Sequence, residues 1–315
     1  MYNSERKMKF LNESKMSENS KRAFIRAFEG VSKHETEAGR DICEMDTKQI
    51  ANIVAGIYGV SNRSFRNIRS ILKAYKEWCK RNGYDVCEDV EELEMPTELM
   101  LDNMRKNMVG SPRHLQFILD STFDPEEMRT YDNLYRVYYW LSFIGFYENE
   151  IAEIKAGDVD FESNVIRKNG NEYPLYKQAI DCFRNAVELN EFVYYHPNYT
   201  KPIIRPRVFG DGLMKGIKKD FTLSTFRPTA SRKVSAALNE KRISTKLSYS
   251  KVHKSGIFYR AYEDELIGIP PTFTDDAINI AANKGKENLN DEQIYMIRYN
   301  LRLDYNTWKN AFYEQ

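Results

Sequence analysis

The chain has 315 residues, with 47 Lys and Arg against 46 Asp and Glu, a net charge of +1, 42% hydrophobic and 30% charged residues. That length suits two domains, the composition excludes wholesale disorder, and the balanced charge speaks neither for nor against a polyanionic partner. Only 15 Gly and 10 Pro stand against 21 Tyr and 17 Phe, so breakers are few, large side chains are many, and a mostly helical chain with a substantial core is expected.

The first 22 residues contain no apolar stretch of the kind that targets a chain for secretion. Residues 19–31 place Phe24, Ala27, Phe28 and Val31 on one helical face. His34-Glu35 has no second histidine at metal-helix spacing, and Cys43, Cys79, Cys87 and Cys182 form no CxxC pair. No disulfide framework, metal or cofactor is therefore expected, and a reducing cytosol is the expected compartment. A helix is predicted over 47–58, capped by Asp46 or Thr47 and carrying Ile50, Ile53, Val54 and Ile57.

Residues 61–82 are more informative. Arg63, Arg66, Arg69, Lys73, Lys76 and Lys80 recur at steps of three and four, while Phe65, Ile68, Ile71, Leu72, Tyr75, Trp78 and Cys79 supply an apolar side. Glu77 is the one acid in the stripe. Like charges aligned this way repel unless an anion neutralises them, and duplex phosphates would do so. Arg66 and Arg69, with Asn67 and Ser70 beside them, are the expected base readers. A small helical domain thus spans 1–84. An acidic linker, 85–110, follows, with eight acids and no Lys or Arg between Asp85 and Asp102 and a short helix from Pro96 to Asn107.

A second domain, 111–315, is predicted to start at Ser111-Pro112, a cap followed by a first-turn proline. Leu134, Val137, Tyr138, Leu141 and Ile144 mark an apolar helix ending at Gly145. Short strands around 158–161, 164–168 and 172–175 are joined by an Asn169-Gly170 turn. Helices are expected over 176–193, 213–219, 229–240, 248–260, 273–283 and 291–313. The glycines of Gly210–Gly216 lack phosphate-loop spacing, so no nucleotide is expected. The longest apolar runs are about half of the ~20 residues a membrane span needs, so no membrane partner is expected either. Between Lys201 and Arg260 fifteen basic residues face three acidic ones. Arg227, Arg232, Lys233, Lys246, Lys251 and Lys254, with Arg260, are the candidate phosphate contacts of this block.

Two segments carry a resemblance. The N-terminal pattern, with its basic helix ending in Tyr75, Trp78 and Gly83, resembles the core-binding domain of tyrosine recombinases, the phage integrase family. The stretch from Trp140 to Phe161, the hairpin, Tyr173-Pro-Leu, then Ser250-Lys-Val-His-Lys-Ser-Gly256 and Tyr305-Asn-Thr-Trp resemble, in order and spacing, that family's catalytic domain. The resemblance implies a mainly α fold with a small β-sheet in a two-domain tyrosine-recombinase-like architecture. It covers a helical core-binding domain and an α-rich catalytic-type domain with a short β-hairpin. At the family's catalytic positions stand Tyr147 for the first arginine, Ser250 for the histidine and His253 for the second arginine. Lys168, or Arg167 beside it, stands for the hairpin lysine, and Tyr305, with Tyr299 as a rival, for the nucleophile. Glu150 keeps the family's acid.

Two arginine forks that clamp a phosphodiester are replaced by a phenol and an imidazole. Removing one such donor typically costs about 10²–10³ in rate, so the expectation is a protein that is not an enzyme. It would be a sequence-specific double-stranded DNA-binding protein, related to the recombinase-fold repressors of arbitrium-type prophages. Its partners would be a duplex operator and a phage regulatory protein or signal-system component that lifts repression. The alternatives are a divergent active integrase using Tyr305, and a protein-interaction scaffold without DNA.

Overall fold

The computed structural model describes residues 1–58, 62–87, 96–123, 130–195, 201–205, 208–216, 221–283, 285 and 289–314. The described residues are mostly helical with two small antiparallel sheets, and the chain divides into two compact units: residues 1–104 with 299–315, and residues 105–298. No helix among the described residues is long and apolar enough to cross a membrane.

The first unit holds α1 (Ser4–Glu13), α2 (Glu18–Ala38), α3 (Thr47–Tyr58), α4 (Asn62–Arg81) and α5 (Thr97–Asn107), the last up to Met104. The starts of α2 and α3 have a local cause. Ser17 accepts from the Ser20 N–H ahead of α2, and the Asp46 carboxylate accepts the Gln49 N–H while Gln49 reaches back to the Asp46 N–H, a reciprocal cap. Gly39, at φ 63°, closes α2. Phe10, Phe28, Tyr75 and Trp78 pack edge to face or stacked at the centre, with ring centroids 4.9–6.3 Å apart. Inside this apolar core lies a buried ionic cluster. Lys7 Nζ donates to both Glu35 oxygens at 2.5 and 2.6 Å, and Asp41 accepts from Tyr75 and Asn3.

The second unit holds α6 (Pro112–Thr122), α7 (Thr130–Ile144), α8 (Glu148–Ile151), α9 (Ile180–Val187), α10 (Leu223–Glu240), α11 (Tyr249–Leu266) and α12 (Thr274–Ala282). Ser111 caps α6 by accepting the His114 N–H at 3.1 Å, with Pro112 in the first turn. The central α7 is buried on nearly every side and packs against α11 and α9. Strands β1 (Val159–Asp160), β2 (Val165–Lys168) and β3 (Asn171–Pro174) form one sheet in register Val159 to Ile166 and Lys168 to Asn171. The turn between β2 and β3 puts Asn169 and Gly170 at φ 52° and 78°, which only Asn, Asp or Gly accepts readily. Strands β4 (Phe192–Tyr194) and β5 (Ile203–Arg205) pair separately. The last helix, α13 (Asp291–Phe312), has its residues 299–312 in the first unit.

Several expected elements are corrected. The helix expected over 176–193 ends at Val187, and its tail becomes β4, where Phe192 is buried against Tyr131. Residues 213–216 are not helical: Leu213 and Gly216 are tied by backbone bonds to Ile154 and Phe209 instead. Residues 217–220 lie outside the described residues. The short helix expected from Pro96 to Asn107 is α5, and Asn103 donates to the Ala55 carbonyl at 2.7 Å, joining this helix to α3. Residues 88–95, the centre of the acidic run, lie outside the described residues. The chain divides at 104/105, within 85–110, and residues 299–315 belong to the first compact unit.

Candidate nucleic-acid interface

In the first unit α4 presents its apolar arc inward, as its periodicity requires. Phe65, Ile68, Ile71, Leu72, Tyr75, Trp78 and Cys79 are all buried. On the outer side Asn67, Arg69, Ser70, Lys73 and Lys80 are exposed. Two members of the expected stripe do not fit it. Lys76 falls at the edge of the apolar arc and is buried, with Nζ 3.5 Å from the Met45 carbonyl. The chain around Met45 covers that edge, so Lys76 supplies packing rather than an exposed cation. Arg66 is half-buried: its Nη2 donates to Asn300 Oδ1 at 2.6 Å, and its guanidinium lies over the Tyr299 ring at 5.4 Å. The side chain of Arg63 lies outside the described residues.

In the second unit the basic residues are spread over α10, α11 and the segment between them. Arg232, Lys233 and Lys246 are exposed. Lys233 sits over the rings of Tyr131 and Tyr135, at 5.7 and 5.8 Å, and Lys254 over Phe258 at 5.4 Å. Arg227 is committed to Glu148 at 2.8 Å, although it stays largely exposed. Lys251 donates to Asn107 Oδ1, and burial together with Lys246 lowers its pKa. These two differ from simple exposed phosphate contacts because each has an internal acceptor.

Of the residues the sequence suggests for catalytic positions, Tyr147 and His253 lie side by side in the second unit. Tyr147 precedes α8, where its N–H is accepted by Glu150 at 2.7 Å. Its ring lies 4.7 Å from that of His253, on which Tyr249 stacks at 5.6 Å. Burial, then the nearby carboxylates of Asp276 and Glu150, hold the Tyr147 phenol well above its usual range. His253 is buried, with Nε2 3.1 Å from the Gly145 carbonyl. Ser250 is exposed on α11, and Lys168 Nζ donates to the Glu153 carbonyl at 2.8 Å. Tyr305 belongs to the other unit, where it is buried and stacked on Trp308 at 6.1 Å.

Arg260, read from the sequence as one more surface cation, has a different place. It is half-buried and its Nη1 donates to the carbonyls of Phe143 and Ile144 at 3.1 and 2.6 Å, closing the C-terminus of α7 where the macrodipole favours a cation. Gly145 follows at φ 123°, and a Cβ there would stand 2.9 Å from the same guanidinium. The available signal was spacing: Arg260 lies two helical turns beyond His253 on one face of α11.

His253 provides a pH prediction. Burial, with Arg260 adding to it, lowers its pKa to about 4, whereas an unfolded histidine titrates near 6.5. The unfolded state therefore binds more protons between these values. Its contribution to stability is intact above about pH 6.5, declines as pH falls, and is gone below about pH 4, a change of about 3 kcal/mol. In urea melts of wild type and His253→Gln, the wild type should lose about that much more stability between pH 7 and pH 4. Parallel losses would show that the histidine is not held neutral.

Residues 1–81 match the family model described as MrpR, N-terminal core-binding domain. No curated protein matches the chain. Solved structures similar to it include two recombinase-type proteins. XerA recombinase is 12% identical with a TM-score of 0.36, over 93% of this chain and 96% of that one. The Tn1549 transposon integrase in complex with circular intermediate DNA is 13% identical with a TM-score of 0.35, over 93% of each. One expectation is corrected here: these similar structures are those of a recombinase and an integrase, and the assignment of this chain as not an enzyme is withdrawn. The N-terminal segment of the chain is similar to the core-binding domain of MrpR.

Proposed function

We propose that this chain is a sequence-specific double-stranded DNA-binding protein on a tyrosine-recombinase-type body. In this reading it acts as a transcriptional repressor maintaining a prophage, similar to the recombinase-fold master repressor of arbitrium-type prophages. The observation that carries DNA binding is the exposed basic side of α4, with Asn67, Arg69, Lys73 and Lys80, inside the segment that matches a core-binding domain. Its charges lie on the exposed side while the opposite face is built into the core, the arrangement a phosphate-binding face would have. Arg232, Lys233, Lys246 and Lys254 add cations on the second unit. The repressor role is supported by the family resemblance of the sequence. It implies a bacterial host cytosol, association with the nucleoid, and a phage regulatory protein or signal component that lifts repression.

The test is a titration of the full chain with duplex DNA across a range of salt. Changing Arg69, Lys73 and Lys80 together to Gln should weaken binding to every duplex and reduce the log–log salt slope by about 2–3, close to one for each phosphate no longer neutralised. An unchanged slope would make this face an ordinary solvated surface. Absence of duplex binding by the wild type would remove the reading altogether. Mapping of bound sites in host cells, with transcription from the adjacent promoters, tests the repressor role.

A further inference from the structure

The contact that removes Arg66 from the simple stripe has its own meaning, which rests on the DNA-binding reading above. We propose that Tyr299 and Asn300, on α13, are positioning residues that hold Arg66 ready for a pair of acceptor atoms on duplex DNA. Arg66 extends from α4 to a helix more than 230 residues away in the chain, within the same compact unit. Asn300 Oδ1 takes one N–H of Nη2 at 2.6 Å, and the Tyr299 ring supports the guanidinium plane at 5.4 Å. Both partners are neutral, so the full positive charge remains. A contact built to silence the arginine would use a carboxylate, as Glu148 does for Arg227.

A guanidinium has five N–H donors in a rigid fork, and Asn300 engages one of them. The rest keep the geometry that matches either the O6 and N7 atoms of guanine or two phosphate oxygens. An arginine free in solution must be ordered on binding, at a cost comparable to that of any rotamer-rich side chain. Asn300 and Tyr299 impose that order beforehand. The neighbouring Arg69 and Asn67 are exposed on the same helix, so the held fork lies beside the residues that would make the remaining contacts.

The probe is a library of 30-bp duplexes with randomised centres, selected on the full wild-type chain. The enriched duplex is then titrated against a scrambled one for each variant. Arg66→Ala should weaken binding to the enriched duplex about tenfold or more. Asn300→Ala and Tyr299→Ala should weaken it by about two- to tenfold, the cost of ordering one long side chain. Tyr299→Phe should bind as wild type, because the ring alone supports the guanidinium. On an Arg66→Ala background, Asn300→Ala should have no further effect, an outcome a merely structural role for Asn300 would not give. Loss confined to the enriched duplex assigns the fork to a base edge, and equal loss on both assigns it to phosphate. Should Asn300→Ala misfold, Asn300→Asp serves instead: it keeps the shape, neutralises Arg66 and should lower the salt slope by about one.

Wild-type affinity in both Asn300→Ala and Tyr299→Ala, tighter binding in either, or an undiminished effect of Asn300→Ala without Arg66 would overturn the proposal. In those cases DNA binding itself would stand. A wild-type chain that retains no duplex would overturn both readings together.

Discussion

Gly256→Ala should leave the second unit unable to fold. Gly256 lies where α11 crosses α7, and a Cβ there would stand 1.8 Å from the Phe143 carbonyl oxygen and 2.7 Å from its carbon. The obstacle is backbone in the last turn of α7, so no rotamer change relieves it. To accept a methyl group the helices must separate along a seam where Tyr259 packs on Phe143 and Arg260 donates to the Phe143 carbonyl. That would also pull Ser255 Oγ away from the Val109 N–H, which it accepts at 2.9 Å. Ordinary overpacking costs about 1–3 kcal/mol. A clash with fixed backbone exceeds that and approaches the whole stability of a typical domain, about 5–15 kcal/mol. The expected result is insoluble protein, or soluble protein whose second unit has lost cooperative unfolding by hydrogen exchange. Gly56→Ala is the control. That glycine is exposed within α3 and a Cβ meets nothing within 4 Å, so the change should stabilise by up to about 1 kcal/mol. A folded Gly256→Ala protein of normal stability would show that the two helices do not approach this closely.

Lys7→Met should destabilise the first unit by about 3–5 kcal/mol. Methionine nearly fills the lysine's volume, so the loss comes from charge. Lys7 and Glu35 are both fully buried, and Asp41 Oδ2 lies 3.9 Å from Lys7 Nζ. Without the ammonium, the Glu35 carboxylate is left in an apolar core with only the Ile42 N–H, at 2.8 Å, as a donor. Burial already raises the Glu35 pKa despite its cation, and removing the cation must raise it further. Adding Glu35→Gln should recover most of the loss, since glutamine keeps an acceptor for Ile42 without a buried charge. Guanidinium melts followed by fluorescence are suitable, because Trp78 and Trp308 both belong to this unit. A double variant no more stable than Lys7→Met would show that the lysine acts through packing alone.

Both predictions concern positions whose importance is invisible in sequence. Lys7 reads as one more charge in a polar N-terminal segment, and α1 itself is not legible there, since its apolar residues are too few to make a pattern. Burial of Lys7 becomes evident only when α2 brings Glu35 beneath it. The second sheet escapes a sequence reading for a related reason: β4 and β5 are three residues each, too short for a period of two to show. Asn169-Gly170, Ser111-Pro112 and the Asp46 cap are legible because a turn or helix end is decided by dihedral preferences and hydrogen bonds within four residues.

The same division runs through the candidate interface. The sequence by itself determined the run of α4 and the inward course of Phe65, Tyr75 and Trp78, because helical period and apolar burial are local and additive along one element. It also marked Lys73 and Lys80 as exposed cations. Tertiary structure alone decided that Lys76 is covered by the chain at Met45, that Arg66 is held by Tyr299 and Asn300, and that Arg260 closes α7. It likewise placed Tyr305 in a different unit from Tyr147 and His253. A long cationic side chain takes whichever acceptor the fold brings within reach, and that acceptor is set by packing between segments far apart in the chain, which no periodicity encodes.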